Sequence, residues 1–216
     1  MNLKEIEQKI KEVRKLSSKR KFTQTFDIII NLQQLDLRKP DHKVDIGVTL
    51  DCNLRPKKYK ICAVVDHGIS GAEKIFDKVV YNDELIAMKG DMEKIRKITH
   101  GYDKFVVLMN VMPVFAQVLG RYLGPMNKMP SPKLGMVVTN KTDLKATYDK
   151  IQKTVQLQTK KNLVLQSAVG AESESDELIA KNILHLHDAL SHTLPNHKHN
   201  IKEIVLKLTM SKGVRL

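Results

Sequence analysis

The sequence predicts a mixed α/β protein in which both ends of the chain build one α+β domain and a second α/β domain is inserted between them. Three observations predict it. The two ends carry strands that alternate apolar and polar residues with a period of two, as a sheet covered on one face requires. The middle carries continuous apolar runs that alternate with helical spacing, the pattern of parallel strands buried on both faces. The style changes near residue 55 and again near 151, which puts the terminal domain at 1–54 plus 152–216 and the insert at 55–151. Two adjacent crossings of this kind permit hinge motion.

The elements follow in order. Leu3, Ile6, Ile10, Val13 and Leu16 recur at three- and four-residue steps, so residues 2–17 read as an amphipathic helix. Phe26, Ile28, Ile30 and Leu32 alternate with Asp27, Ile29 and Asn31 as a strand. By parity Phe22 and Gln24 share the inner side with Phe26, unless the strand begins after them. That leaves the direction of Phe22 open. Pro40 marks a turn, and Val44, Ile46, Val48 and Leu50 give a second strand. The pattern breaks at 53–58, where Pro56 stands among Arg55, Lys57 and Lys58.

In the middle, Tyr59 to Val65 reads as a buried strand, Glu84 to Thr99 as a helix, and Lys104 to Met109 as a second strand. Pro113 suits the first turn of the next helix. Gly120 to Gly135 holds three Gly and three Pro in sixteen residues. It is expected to be a shaped loop, neither helix nor central strand. A helix over Asp143–Lys153 leads out. Val155 and Leu157, then Leu163 to Val169, read as strands. The acidic, cap-rich stretch 172–177 opens a helix carrying Leu178, Ile179, Ile183, Leu184 and Leu190. In the last strand Ile204, Leu206 and Leu208 face one way, and Val205, Lys207 and Thr209 the other. Met210 to Leu216 is a short tail.

The 216 residues are 42% hydrophobic and 28% charged, which fits a folded protein and is too apolar for disorder. No run reaches the roughly 18 apolar residues of a membrane helix, and the Lys- and Glu-rich start lacks the apolar segment of a secretory signal. Cys52 and Cys62 are expected to be reduced cytosolic thiols. The net charge of +13 is distributed as +3, +7 and +3 over residues 1–54, 55–152 and 153–216. A spread excess of this size attracts a polyanion, above all nucleic acid. Five Phe, five Tyr and no Trp leave few rings for stacking bases, so contacts to phosphate, sugar and RNA shape fit better.

Lys19, Arg20 and Lys21 precede the Phe22 ring and the polar Thr23, Gln24 and Thr25. Cations there neutralise phosphates, the ring stacks, and Gln and Thr bond to sugars. This stretch, with Gly120-Arg121-Tyr122-Leu123-Gly124-Pro125 followed by Met129-Pro130, and with Thr209-Met210-Ser211, resembles the ribosomal protein L-one family. That family forms the mobile stalk beside the exit site for spent tRNA, and the match is nearer its eukaryotic and archaeal branch. The resemblance implies that the insert is Rossmann-like and that the terminal domain holds the main rRNA site. Carried over by motif, the site comprises Phe22, Gln24, Thr25, Thr209, Met210 and Ser211, with Lys19, Arg20, Lys21 and Lys207. A second basic surface is expected around Arg121, Lys128 and Lys133, facing tRNA or the same RNA. The family usually has Glu where this chain has Gln24, and Gly where it has Ser211. Gln donates as well as accepts, and a Ser side chain either blocks a close approach of RNA or adds a hydroxyl contact.

The implied partners are large-subunit rRNA and, transiently, exit-site tRNA in cytoplasmic ribosomes, with assistance to release of deacylated tRNA. An off-ribosome relative that represses an mRNA or assists assembly is the alternative. A nucleotide-dependent enzyme is the remote one: the insert lacks GxGxxG and GxxxxGK[ST], and no catalytic set, cofactor site or metal site is expected. His185, His187, His192, His197 and His199 crowd one stretch without a metal-binding spacing. The sequon Asn140-Lys141-Thr142 has no meaning without secretion.

Overall fold

A computed structural model of the chain describes residues 2–39, 42–51, 54, 56–67, 71–140, 142–160 and 162–216. The Pro40 turn, the Cys52 thiol, Asn53 and Arg55 of the break, Gly68, and Lys141 of the sequon lie outside the described residues. The chain divides into two compact units, Met1–Lys57 with Lys153–Leu216, and Lys58–Gln152.

Helix α1 (Leu3–Leu16) buries Ile6, Ile10 and Val13, and the Glu5 carboxylate accepts the Asn2 backbone N–H at 3.2 Å at its start. Leu16, expected on the same stripe, is 53% exposed because the helix ends there and Ser17 turns the chain away. Strand β1 (Thr25–Leu32) alternates half-buried and buried residues along its whole length. Strand β2 is Asp45–Thr49.

In the second unit β3 (Ile61–Val65) is buried throughout. Strand β4 (Lys78–Tyr81) is short and begins on exposed Lys78, so no alternation announces it. The single helix expected over Glu84–Thr99 is two, α2 (Asn82–Ala87) and α3 (Met92–Gly101). Gly90 breaks them apart at φ +100°, a conformation that favours glycine. Asp91 then caps α3, accepting the Lys94 N–H at 3.1 Å, and that bond holds its carboxyl below the usual range. Strand β5 is Lys104–Leu108. Helix α4 (Met112–Leu123) has Pro113 in its first turn. It runs on through Gly120, Arg121, Tyr122 and Leu123, so the first residues of the expected loop are helical. A side chain at Gly124 would stand 3.0 Å from the Gly120 carbonyl oxygen, which explains a glycine where the helix stops. Strand β6 is Val137–Val138 and helix α5 is Leu144–Lys153.

The chain then returns to the first unit with β7 (Thr154–Gln158), β8 (Val164–Ala171), α6 (Asp176–Thr193), β9 (Ile201–Leu208) and β10 (Val214–Arg215). Ser175 caps α6, accepting the Leu178 N–H. Strand β10 lies in what reads as a tail, and two residues are too few to show a period.

The first unit holds a four-stranded sheet in the order β10-β9-β1-β8 and a two-stranded β2-β7 sheet, all its pairings antiparallel. Its core joins Ile6, Ile10 and Val13 of α1 to Phe26, Ile28 and Ile30 of β1, Ile183 and Leu186 of α6, and Leu206 and Leu208 of β9. Both helices therefore cover one face of the larger sheet. The second unit is a parallel sheet in the order β4-β3-β5-β6, with Phe105, Phe115 and Leu119 among its buried side chains. Cys62 is buried in β3, and burial pushes its thiol up to about 12. Among the described residues no helix is long and apolar enough to cross a membrane.

Candidate RNA interface

Strand β1 pairs with β9 in the register Phe26 to Leu208, which sets Thr25 opposite Thr209 at the sheet's end. The Thr209 N–H donates to the Thr25 carbonyl at 3.1 Å, and the Thr25 N–H donates to Thr209 Oγ1 at 3.1 Å. One residue back, Gln24 is 1% exposed. Its Oε1 accepts the Met210 N–H at 3.2 Å, and its Nε2 donates to Ser17 Oγ at 2.9 Å. Its backbone exchanges bonds with Glu172: the Gln24 N–H donates to that carboxylate at 3.0 Å, and the Glu172 N–H donates to the Gln24 carbonyl at 2.8 Å.

The direction of Phe22 follows. The strand begins at Thr25, so parity does not extend to Phe22, and its ring is 53% exposed. Met210 is 60% exposed on the turn after β9. Lys19, Arg20 and Lys21 are exposed and line, with Phe22, Thr23, Glu172 and Ser173, a hollow of about 420 Å³.

Two residues carried over by motif do not offer their side chains to a ligand. Both polar atoms of the Gln24 amide are occupied inside the protein, so Gln24 positions its neighbours. Ser211 Oγ accepts the Leu208 N–H at 2.8 Å and donates to the Lys212 carbonyl at 3.0 Å. It closes the Thr209–Ser211 turn. Lys207 is half-buried on the face of the sheet opposite the core.

Sequence reading missed the support beneath this surface. Arg14 donates from Nε to Asp176 at 2.8 Å and from its two terminal nitrogens to the Glu172 and Glu174 carbonyls at 2.7 and 2.9 Å. Its guanidinium also lies 5.0 Å from the centre of the Phe26 ring. Arg14 thus fixes the β8–α6 loop, and through Glu172 that loop fixes Gln24. The available signal was the acidic stretch 172–177, which serves as partner to a cation as well as helix cap.

In the second unit Arg121 and Lys133 are exposed, but Lys128 is turned inward. Its Nζ donates to the Thr99 and Tyr102 carbonyls at 2.9 and 2.7 Å, at the C-terminal end of α3, where a cation complements the helix dipole. The expected surface around Arg121, Lys128 and Lys133 therefore loses Lys128.

Elsewhere His67 stacks on Tyr81 with ring centres 4.4 Å apart, at the carboxyl ends of β3 and β4. That edge carries Asp66, Glu73 and Asp83, with Tyr81 donating to Glu73 at 2.8 Å and His67 meeting Asp83 at 3.2 Å. His187 is buried, and His197 Nδ1 lies 3.0 Å from the Ser191 carbonyl. Among the described residues no group of His, Cys, Asp and Glu is placed to hold a metal ion.

Fold and site together define a mixed α/β protein whose two chain ends join under one exposed, cation-flanked patch. The family model described as "Ribosomal protein L1p/L10e family" matches residues 10–212. The chain is 33% identical to the large ribosomal subunit protein uL1 of Thermococcus kodakarensis over 208 residues, 96% of this chain and 94% of that protein. It is 35% identical to that of Nanoarchaeum equitans over 203 residues, 92% and 93% of the two chains. It is 32% identical to that of Methanocaldococcus jannaschii over 211 residues, 97% and 93%. The chain belongs to the ribosomal protein L1p/L10e family, in its archaeal-like branch.

Proposed function

We propose that this chain is a structural constituent of the large ribosomal subunit and that its two-ended unit grips large-subunit rRNA. One observation carries the reading: the Thr25–Thr209 and Gln24–Met210 bonds hold the exposed Phe22 and Met210 beside Lys19, Arg20 and Lys21. The cations neutralise phosphates, the ring and thioether contact unpaired bases or riboses, and the rigid floor fixes the shape that is read. Membership of a family whose archaeal relatives bear the name large ribosomal subunit protein supports it.

The unit 58–152 supplies Arg121 and Lys133 to a second, weaker electrostatic contact with exit-site tRNA or the same rRNA. Assistance to release of deacylated tRNA, at a mobile stalk of cytoplasmic ribosomes, is the activity consistent with that arrangement. The chain acts by binding and performs no catalysis. The carboxylates Asp66, Glu73 and Asp83 at the carboxyl ends of β3 and β4 oppose a phosphate where an α/β sheet ordinarily takes a nucleotide.

Sedimentation of the tagged chain with mature large subunits tests the assignment. Stable co-sedimentation that survives moderate salt is expected. Recovery only with free mRNA, or only with precursor particles, would replace it with the repressor or assembly reading.

A further inference from the structure

The larger sheet of the first unit has a second face that neither of that unit's helices covers. On it the strands place their residues in rows: Asp27 between Ala168 and Lys207, Ile29 between Gln166 and Val205, Asn31 between Val164 and Glu203. The rows start at the Thr25–Thr209 end, beside Phe22 and Met210, and succeed one another at about 7 Å. Two hollows follow them. The first, about 340 Å³, is lined by Asp27, Ile29, Gln166, Ser167, Ala168 and Lys207. The second, about 590 Å³, is lined by Gln158, Lys160, Asn162, Val164 and Gln166. Gln166 belongs to both, so the two hollows adjoin at that residue, one at the centre of the sheet and one at its β8 edge.

Charge distinguishes the two hollows. Each of the two carboxylates on the face has a cation near it: Asp27 stands opposite Lys207 in register, and Glu203 accepts from Asn31 at 2.6 Å and pairs with Arg215 at 3.7 Å. Among the described residues lining the far hollow there is no carboxylate. It offers one exposed cation, Lys160, and the exposed amides Gln158, Asn162 and Gln166. Amides both donate and accept, which suits phosphate oxygens and ribose 2′-hydroxyls equally. Among the described residues no ring lines either hollow, so bases have nothing among them to stack on. A protein partner would want aromatic or Arg anchors, which this lining lacks.

We infer that the RNA held at Phe22 and Met210 continues across this uncovered face, and that its sugar–phosphate backbone lies in the hollow of Gln158, Lys160, Asn162 and Gln166. The inference rests on the rRNA grip proposed above. It makes the contact class of this segment backbone and sugar, without base readout.

The test uses the full chain and a large-subunit rRNA fragment trimmed by nuclease under its protection, in the full protected length and in the shortest length that still binds. Lys160→Glu is expected to weaken the long fragment about tenfold or more and to leave the short one within twofold. Lys160→Ala should flatten the log–log salt dependence of the long fragment by about one unit, and Asn162→Ala with Gln166→Ala should weaken it without changing that slope. Equal losses on both lengths, or no loss on the long one, overturn the inference. So does a Lys160→Glu chain that binds RNA normally but no longer joins large subunits, since the face would then serve a protein. Phe22→Ala reports separately on the grip itself: binding of both lengths unaffected by it would sink the parent reading instead.

Discussion

Thr25 and Thr209, 184 residues apart in sequence, are joined by three hydrogen bonds: the Thr209 N–H donates to the Thr25 carbonyl at 3.1 Å, the Thr25 N–H donates to the Thr209 hydroxyl at 3.1 Å, and that hydroxyl donates to the Thr25 carbonyl at 3.3 Å. The pair welds the start of β1 to the end of β9. Everything proposed to touch RNA in this unit is carried within a few residues of that weld, so its rigidity is the rigidity of the site.

Phe22 is exposed and contributes to no core cluster, so truncation should separate binding from stability. Phe22→Ala is expected to weaken rRNA binding by about 1–3 kcal/mol, as for a ring in contact with a base. The thermal unfolding midpoint should stay within about a degree of the parent's. Filter binding and calorimetry on the same samples check it.

Gln24 behaves in the opposite way. Gln24→Leu strands the Met210 N–H and the Ser17 hydroxyl, and is expected to lower stability by about 1–3 kcal/mol. RNA affinity falls through displacement of Met210. Gln24→Glu keeps the acceptor for the Met210 N–H, and the Ser17 hydroxyl, which accepts from Gln24, is free to turn and donate to the carboxylate, so most of the lost stability should be recovered. Denaturant titration distinguishes the two variants.

Lys128 and Arg121 look alike in sequence and should behave differently. Lys128→Ala removes the cation at the end of α3 and is expected to cost about 1 kcal/mol of stability, with the salt dependence of RNA binding unchanged. Arg121→Ala should leave stability alone and flatten that dependence by about one unit if it meets phosphate. Binding isotherms across a salt series decide.

Burial raises the Cys62 thiol from an ordinary 9.0 to about 12. The unfolded chain loses this proton first, so the stability linked to it is complete below about pH 9 and declines as pH climbs toward 12. In a Cys52→Ala chain, alkylation of Cys62 at pH 8 should be negligible when folded and rapid in denaturant. Mass spectrometry gives the extent.

Period and parity made much of the fold legible. Phe26, Ile28, Ile30 and Leu32 are buried in the alternation their spacing implies; of the run Tyr59 to Val65, Ile61–Val65 is a strand buried throughout, while Tyr59 is half-buried and Lys60 exposed ahead of it. The spacing Leu85, Met88, Met92, Ile95 and Ile98 kept its phase across Gly90, so two helices read as one. Val137–Val138 and Val214–Arg215 are too short to carry any period. At the site, composition pointed to the cations and to Phe22 but could not orient them, because the start of β1 decides which way the ring points. Lys128 was misread for a physical reason. Its long stem carries the ammonium to carbonyls 29 and 26 residues back in sequence, and no local pattern records such a reach. Arg14 and Glu172 were invisible as a pair for the same cause, being 158 residues apart.

The central claim is that both ends of the polypeptide form one RNA-gripping surface, and photo-crosslinking addresses it most directly. The full chain bound to large-subunit rRNA is irradiated, digested, and its RNA-linked peptides are sequenced. Linked peptides containing Phe22 and linked peptides containing Met210 should both be recovered, joined to neighbouring nucleotides. Crosslinks confined to residues 58–152, or Phe22 and Met210 joined to distant nucleotides, would contradict it.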